Sequence, residues 1–324
     1  MSTNKRGGAL LTVLWLSAAL AAIAFSLATT VRGETERAGT ALDTLRAYYL
    51  CVGGVQRAEV ELLWSIVNPG ERVVPKGATF LDYRYSNGVV HVELIPEAAK
   101  LDVNSVPVQD LIRLMVALGI PQGQATELGA AIDDFRQPAS ETSNYDSYYL
   151  SLTPSFRAPH ASLQEIEELL LVKGMTPEIF YGTYVPNDGP GPHLTPRGGL
   201  MECLSVYGSK GPVDANTAPP AVLQAVGLTP YAVNALVERR RRAPFKEQEL
   251  AEFISSVGGN PARLRVEGNT ILTIRATARL IQPDGHLSDL RHTVAAVMKY
   301  FQQGSQSAVD ILRWYDNAGV IYAE

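Results

Sequence analysis

Cysteine is nearly missing from this chain: Cys51 and Cys203 are the only two in 324 residues. They form no Cys-x-x-Cys pair and no Cys/His cluster, which excludes the usual zinc folds and thiol redox motifs. In an exported chain the two could join as a disulfide, or stand apart as buried thiols; the sequence leaves both open. Net charge is also scant, at −5, so no chain-wide cationic surface for nucleic acid exists. A catalytic set is lacking too. His91, His160, His193, His286 and His292 show neither metal-ligand spacing nor a Ser or Cys nucleophile in a recognisable elbow. The reading is therefore not an enzyme. What is present, 46% hydrophobic and 19% charged residues, is ordinary for a folded protein.

The longest absence is of charge. Residues 9–31, ALLTVLWLSAALAAIAFSLATTV, carry none. As a helix they span roughly 34 Å, enough for a bilayer core of about 30 Å. A secretory signal has a shorter apolar region, although Ala22-Ile23-Ala24 offers a small-residue cleavage site. Lys5 and Arg6 precede the span, while Arg32, Glu34, Glu36 and Arg37 after it cancel. The positive-inside tendency then keeps the short N-terminus cytoplasmic and exports the bulk. Apolar periodicity continues through Leu42, Leu45, Tyr49, Val52, Val55, Leu62 and Ile66, predicting one helix from about 9 to about 66 that lies on a folded domain. Gly53-Gly54 weaken it locally and Pro69-Gly70 end it.

Further on, 82–85 and 89–94 read as strands around Asn87-Gly88, and 271–280, 292–300 and 311–315 as later strands. Segment 186–199, PNDGPGPHLTPRGG, reads as a linker, and 302–308 as loose. Between the strand groups one phrase occurs twice, LDVNSVP at 101–107 and VDANTAP at 213–219. In each, Asn104 or Asn216 is expected to make an Asx turn and Ser105 or Thr217 to cap a helix with an early Pro. Each continues as a helix ending at Gly119 or Gly227, with further helices over 124–135 and 230–242, then 163–172 and 246–255. Two related helical units follow.

A short basic leader ending in Gly, then an apolar helix running into a soluble domain, resembles the type IV pilin and type II secretion pseudopilin class. The resemblance implies cleavage by a prepilin peptidase between Gly8 and Ala9, with methylation of the new N-terminus. It places Val13 at the fifth mature position, where most members have Glu; that absence is similar to the protein K branch, the large minor pseudopilins. Residues 96–104, the run from Ala158 to Thr176 and the closing strands are similar to that branch in order. The implied fold is α+β: a long N-terminal helix packed on a pilin-like antiparallel sheet, with a large helical insertion of two helix-hairpin-helix-like (SAM-like) units. The implied division is a leader over 1–8, a transmembrane half over 9–31 and a pilin-like helix with first strands over 32–100. The first repeat and linker take 101–212, the second repeat 213–266, and the C-terminal strands and tail 267–324. The implied role is capping and priming of a pseudopilus tip from the inner membrane, with the bulk periplasmic. Implied partners are other minor pseudopilins, the major pseudopilin, the peptidase and the inner-membrane assembly platform, with secreted substrates or the outer-membrane secretin beyond them.

The helical units also resemble helix-hairpin-helix DNA-binding repeats, so the alternative is a membrane-anchored DNA receptor of the competence type. Against it, Gly174-Met175 and Gly227-Leu228 are followed by Thr where those hairpins have a second Gly. Residues 101–182 hold four Arg/Lys against eleven Asp/Glu, a surface that repels phosphate. Arg239-Arg240-Arg241-Arg242 points all round a helix and is read as a solvated or partner-facing run, with no nucleic acid expected. Finally, 133–149 stands where protein K relatives have an acidic, metal-friendly loop. The resemblance makes Asp133, Asp134 and Asp146 candidate calcium ligands, with a metal-free polar loop the other reading; no further cofactor is implied.

Overall fold

The computed structural model describes residues 6–75, 77–138, 143, 145–186, 194–266, 270–303 and 306–318. One helix, α1 (Arg6–Val67), opens the chain. Nothing in it forbids helix until Asn68-Pro69, where the ring removes a donor and the chain turns. Its first half touches nothing else in the protein, and among the described residues it is the one helix long and apolar enough to cross a membrane. Its second half lies on a five-stranded antiparallel sheet.

The sheet begins with β1 (Phe80–Tyr85) and β2 (Gly88–Pro96), joined by a two-residue turn. It resumes only after the helical body, with β9 (Ile271–Ile281), β10 (Leu287–Gln303) and β11 (Gln306–Tyr315), in the order β1-β2-β9-β10-β11. The middle of the sheet is thus closed by strands from opposite ends of the chain, Val92 lying beside Ala276. Of the expected loose segment 302–308, residues 302–303 belong to β10 and 306–308 to β11, with Gln302 opposite Ser307; 304–305 lie outside the described residues. Alternating side chains explain the packing: Val90, Val92, Ile274, Ala276, Ala278, Val294, Ala296 and Met298 all face α1.

The helix face that meets them overlaps the periodic stripe in the sequence only in part, through Val55 and Leu62. Ala47, Cys51, Val55, Ala58 and Leu62 are buried, whereas Leu42, Leu45, Tyr49 and Ile66 are exposed. Small side chains let the helix lie close. A Cβ on Gly54 would stand 2.6 Å from Val90 Cγ1, so glycine there is a contact requirement as well as a helix weakness. Gly88 acts likewise: a Cβ would meet Leu50 Cδ1 at 2.6 Å and the Arg279 carbonyl oxygen at 2.7 Å. Its value lies in close approach, since its φ is not in the left-handed region.

The helical body is inserted between β2 and β9. Its first unit opens with β3 (Leu101–Asp102), α2 (Val108–Ala117), α3 (Gln122–Arg136), α4 (Asp146–Ser151) and α5 (Pro177–Phe180). It continues with an antiparallel ribbon, β4 (Gly182–Pro186) and β5 (Leu194–Gly198), and closes at β6 (Leu204–Ser205), which pairs in parallel with β3. The second unit opens at β7 (Val213–Asp214) and runs through α6 (Pro220–Ala225), α7 (Pro230–Arg242) and α8 (Glu247–Ser256). It closes at β8 (Leu264–Arg265), parallel to β7. Both units share one core, in which Leu111, Leu114 and Met115 of α2 join Val222 and Leu223 of α6.

Two expectations need correcting. The helix expected over 163–172 is only a 3₁₀ segment, Ile166–Leu171, which stops where Val172 takes an extended backbone. The linker at 186–199 contains β5, whose Thr195 pairs with Val185 of β4; 187–193 lie outside the described residues.

Candidate functional site

The repeated phrase forms the same receptacle twice, though its residues take roles other than those expected. Asp, rather than Asn, makes the turn. Asp102 Oδ1 accepts from the amides of Asn104 at 2.7 Å and Ser105 at 3.1 Å, and Asp214 Oδ1 from that of Asn216 at 3.2 Å. Ser105 and Thr217 cap nothing; Thr217 donates its hydroxyl to the Asp214 carboxylate, and the helices start at Pro107 and Pro219 without a side-chain cap. Asn is freed to reach across the unit. Asn104 Nδ2 donates to the Leu163 carbonyl at 2.9 Å while the Leu163 amide donates to Asn104 Oδ1 at 2.8 Å. Asn216 makes the same pair of bonds to Phe245, at 3.1 and 2.7 Å.

An arginine completes each receptacle. Arg136, buried at the end of α3, donates to the carbonyls of Val103 at 2.6 Å and Val106 at 2.7 Å. Arg240, near the end of α7, donates to Ala215 at 2.9 Å and Ala218 at 2.8 Å, the same two positions of the second phrase. Burial lowers the Arg240 pKa, partly offset by Asp214 nearby. Sequence reasoning missed both arginines. The signal was there as one Arg in the closing turn of the helix after each Gly hairpin. Arg239 and Arg241 of the run are spent locally. Arg239 lies over the Phe245 ring and reaches Glu249 at 3.2 Å, and Arg241 pairs with Glu238 at 2.7 Å.

The expected metal residues do not converge. Among the described residues no group of three or more His, Cys, Asp or Glu could hold an ion. Asp133 Oδ1 is taken by Arg136 Nε and Nη2, at 3.1 and 2.7 Å. Asp134 Oδ2 accepts from Ser143 at 2.9 Å. His160 occupies the middle, its Nδ1 3.0 Å from the Asp134 carbonyl and its Nε2 2.9 Å from Asp146 Oδ1. The hydrogen bond to Asp146 raises the imidazole pKa, which favours the charged ring beside that carboxylate. Phe135 and Tyr145 point to apolar duty: Phe135 packs edge-on to Tyr149 in the core, and Tyr145 lies beneath Lys173. Asp133, Asp134 and Asp146 thus form no calcium set among the described residues; 139–142 and 144 of the loop, Glu141 included, lie outside them.

The cysteines are free and sit in different cores, Cys51 under the sheet and Cys203 in the helical body. This corrects the disulfide reading: the α1–sheet layer and the helical body bury one thiol each. At the N-terminus, Gly8, Ala9 and Val13 are exposed on α1, whose axis runs unbroken through the Gly8–Ala9 peptide. Residues 1–5 of the expected leader lie outside the described residues.

Residues 90–182, from the second strand through the first helical unit, match the family model for protein K of the type II secretion system. Over this stretch the chain is similar to type II secretion system protein K. The protein K of Klebsiella pneumoniae is 24% identical over 200 residues, covering 56% of this chain and 61% of that protein. That of Pseudomonas aeruginosa is 23% identical over 275 residues, covering 77% and 76%. Among solved structures, a chain of the GspK–GspI–GspJ complex from enterotoxigenic Escherichia coli superposes with a TM-score of 0.53 at 16% identity. It covers 86% of this chain and 98% of that one. The shared fold is α+β, a long N-terminal helix on an antiparallel sheet that carries a helical body.

Proposed function

We propose that this protein is a minor pseudopilin that caps and primes the pseudopilus tip of a type II secretion machine. The observation that carries the reading is the two-faced helix α1 beneath a protein K-like body. One face is buried on the sheet through Ala47, Cys51, Val55 and Ala58, while Leu42, Tyr49, Val60 and Trp64 stay exposed on the other. The exposed face continues into the apolar first half. Neighbouring helices in a fibre would cover it, and a bilayer would hold the first half before assembly. On this reading the bulk is periplasmic, the role is structural rather than enzymatic, and the prepilin peptidase cuts between Gly8 and Ala9.

Val13 bears on the position in the fibre. A carboxylate at the fifth mature residue would compensate a neighbour's N-terminal ammonium in lipid, where an unpaired charge is costly. Without it, the subunit docks poorly beneath an earlier one, which suits the first place. The partners on this reading are other minor pseudopilins, the family that the E. coli complex represents, then the major pseudopilin and the inner-membrane platform. The outer-membrane secretin or the secreted substrates would be met at the tip.

The test is co-purification of the full chain with the other minor pseudopilins of its own cell, with secretion as the second readout. Recovery of a stoichiometric complex that Trp64→Asp and Tyr49→Asp weaken is expected. Secretion that continues unchanged after deletion of the protein would overturn the role. Mass spectrometry of the mature N-terminus tests the cut: Gly8→Leu should leave the precursor intact, and normal processing of that variant would sink the leader assignment.

A further inference from the structure

The link between the two helical units, Tyr207-Gly208-Ser209-Lys210-Gly211-Pro212, walls a cavity of about 340 Å³. Arg265 of β8 and Ile271, the first residue of β9, form the opposite side. The cavity therefore sits in the seam where the chain leaves the helical body and re-enters the sheet. The loop is built to stay open. A Cβ on Gly208 would stand 2.5 Å from the Leu101 carbonyl group, so only glycine lets the loop lie against β3. The Ser209 hydroxyl donates to the Pro212 carbonyl at 2.7 Å and accepts from the Gly211 amide at 3.3 Å, pinning the bend.

Two cations, Arg265 and Lys210, line this space. Arg265 Nε is buried and has no hydrogen-bond partner among the described residues. The other structural arginines contrast with it: Arg136 and Arg240 place their N–H groups on backbone carbonyls. A buried charged donor without an acceptor is costly, so Arg265 Nε favours an incoming acceptor. Lys210 is 79% exposed, and the acid in reach is Asp102, with 3.9 Å between Nζ and Oδ2. Asp102 is already occupied by the Asn104 and Ser105 amides.

We propose that this cavity is an oxyanion site, taking the carboxylate or phosphate group of a small ligand. Arg265 supplies the planar fork that matches two oxygens, and Lys210 the flexible second cation. An anion held there bridges the loop, the second unit and the first turn of β9, and so ties the helical body to the sheet. The site is independent of the pseudopilus role.

The experiment is calorimetric titration of the full chain in nonionic micelles at constant ionic strength, with inorganic phosphate in one arm and acetate in the other. Saturable one-site binding is expected in at least one arm, and the stronger arm names phosphate or carboxylate as the source. Arg265→Gln should weaken it at least about tenfold, the loss of one charged hydrogen bond. Gly211→Leu should block it: its Cβ meets open space and its φ needs no glycine. Circular dichroism verifies that this variant folds, and Lys210→Gln, an exposed change, should weaken binding without any folding effect. Absence of saturation in both arms, or parental affinity in both Arg265→Gln and Lys210→Gln, overturns the proposal.

Discussion

Asn216 and Phe245 hold one another by two hydrogen bonds, side-chain Nδ2 to carbonyl at 3.1 Å and amide to Oδ1 at 2.7 Å. The pair fastens the start of α6 to the turn between α7 and α8, and Asn104 with Leu163 does the same in the first unit. Asn216→Ala removes both partners from a half-buried amide and carbonyl, at a cost of about 2–3 kcal/mol. Asn216→Asp should cost at least as much, because it places a carboxylate oxygen against the Phe245 carbonyl. The measurement is the urea midpoint, with faster hydrogen exchange at the Phe245 amide as the local sign. Two variants as stable as the parent would show that the clamp carries no weight.

Arg240 separates scaffold from ligand binding within the arginine run. Arg240→Gln leaves the Ala215 and Ala218 carbonyls short of donors and should destabilise the second unit by about 2–4 kcal/mol. Arg241→Gln loses only an exposed pair with Glu238, worth about 0.2–1 kcal/mol. Thermal unfolding of the two variants side by side reads the difference. Equal melting temperatures would return the whole run to the surface, where the DNA-receptor alternative would regain its argument.

Adjacent glycines in α1 should respond in opposite directions. Gly53→Ala adds a methyl to open space and removes a flexible residue from a helix, a gain of about 0.5–1 kcal/mol. Gly54→Ala drives its Cβ into Val90 and should cost about 1–3 kcal/mol by overpacking. Limited proteolysis of the sheet strands in each variant is the readout. Greater protection in Gly54→Ala than in Gly53→Ala would mean that the helix does not lie where the structure puts it.

Calcium should leave this protein unchanged. The carboxylates that a cation would need are committed, Asp133 to Arg136 and Asp146 to His160. A calcium ion needs six to eight oxygens, and an imidazole that already bridges the Asp134 carbonyl and Asp146 removes two of them. Melting in about 1 mM calcium and in excess chelator should coincide within error. A calcium-dependent rise of several degrees would show that His160 yields its place.

The parts legible in the sequence are those set by local rules. The uninterrupted apolar helix, the strands around Asn87-Gly88, and the two helical units marked by LDVNSVP and VDANTAP all follow from periodicity, turn residues and repetition. The errors lie where the decisive contact comes from far along the chain. Leu42, Leu45 and Tyr49 looked like the packing face of α1, yet the sheet accepts Ala47, Cys51, Gly54 and Ala58, because its own facing residues are alanines and valines at close range. Periodicity reports that a helix has an apolar face; it does not say which of two faces has a partner in the same chain. Asn104 and Asn216 were misread for a similar reason. A local Asx turn was satisfied by the Asp two residues earlier, which left each amide free for a backbone 59 or 29 residues away. The Arg136 and Arg240 bonds were equally hidden, since no local rule ties a helix C-terminus to a loop that precedes it by a whole hairpin.

The two thiols give a final test, in which chemistry and pH have to agree. Burial pushes the Cys51 thiol up to about 11, and burial in the helical body pushes Cys203 up to about 12, from an ordinary value of 9.0. The folded pKa is raised in both cases, so the stabilising contribution is complete below about pH 9 and is lost as pH rises through 11 to 12. Thiolate is the reactive form, so neither residue should react with a maleimide at about pH 8 in the native chain, while both should react in denaturant without reductant. Labelling of neither thiol in unreduced denaturant would demonstrate a disulfide and contradict two cores with one cysteine each. Fast labelling of Cys51 alone in the native chain would mean that α1 lifts from the sheet, because Cys51 is fully buried between them with its thiol 3.0 Å from the His292 carbonyl.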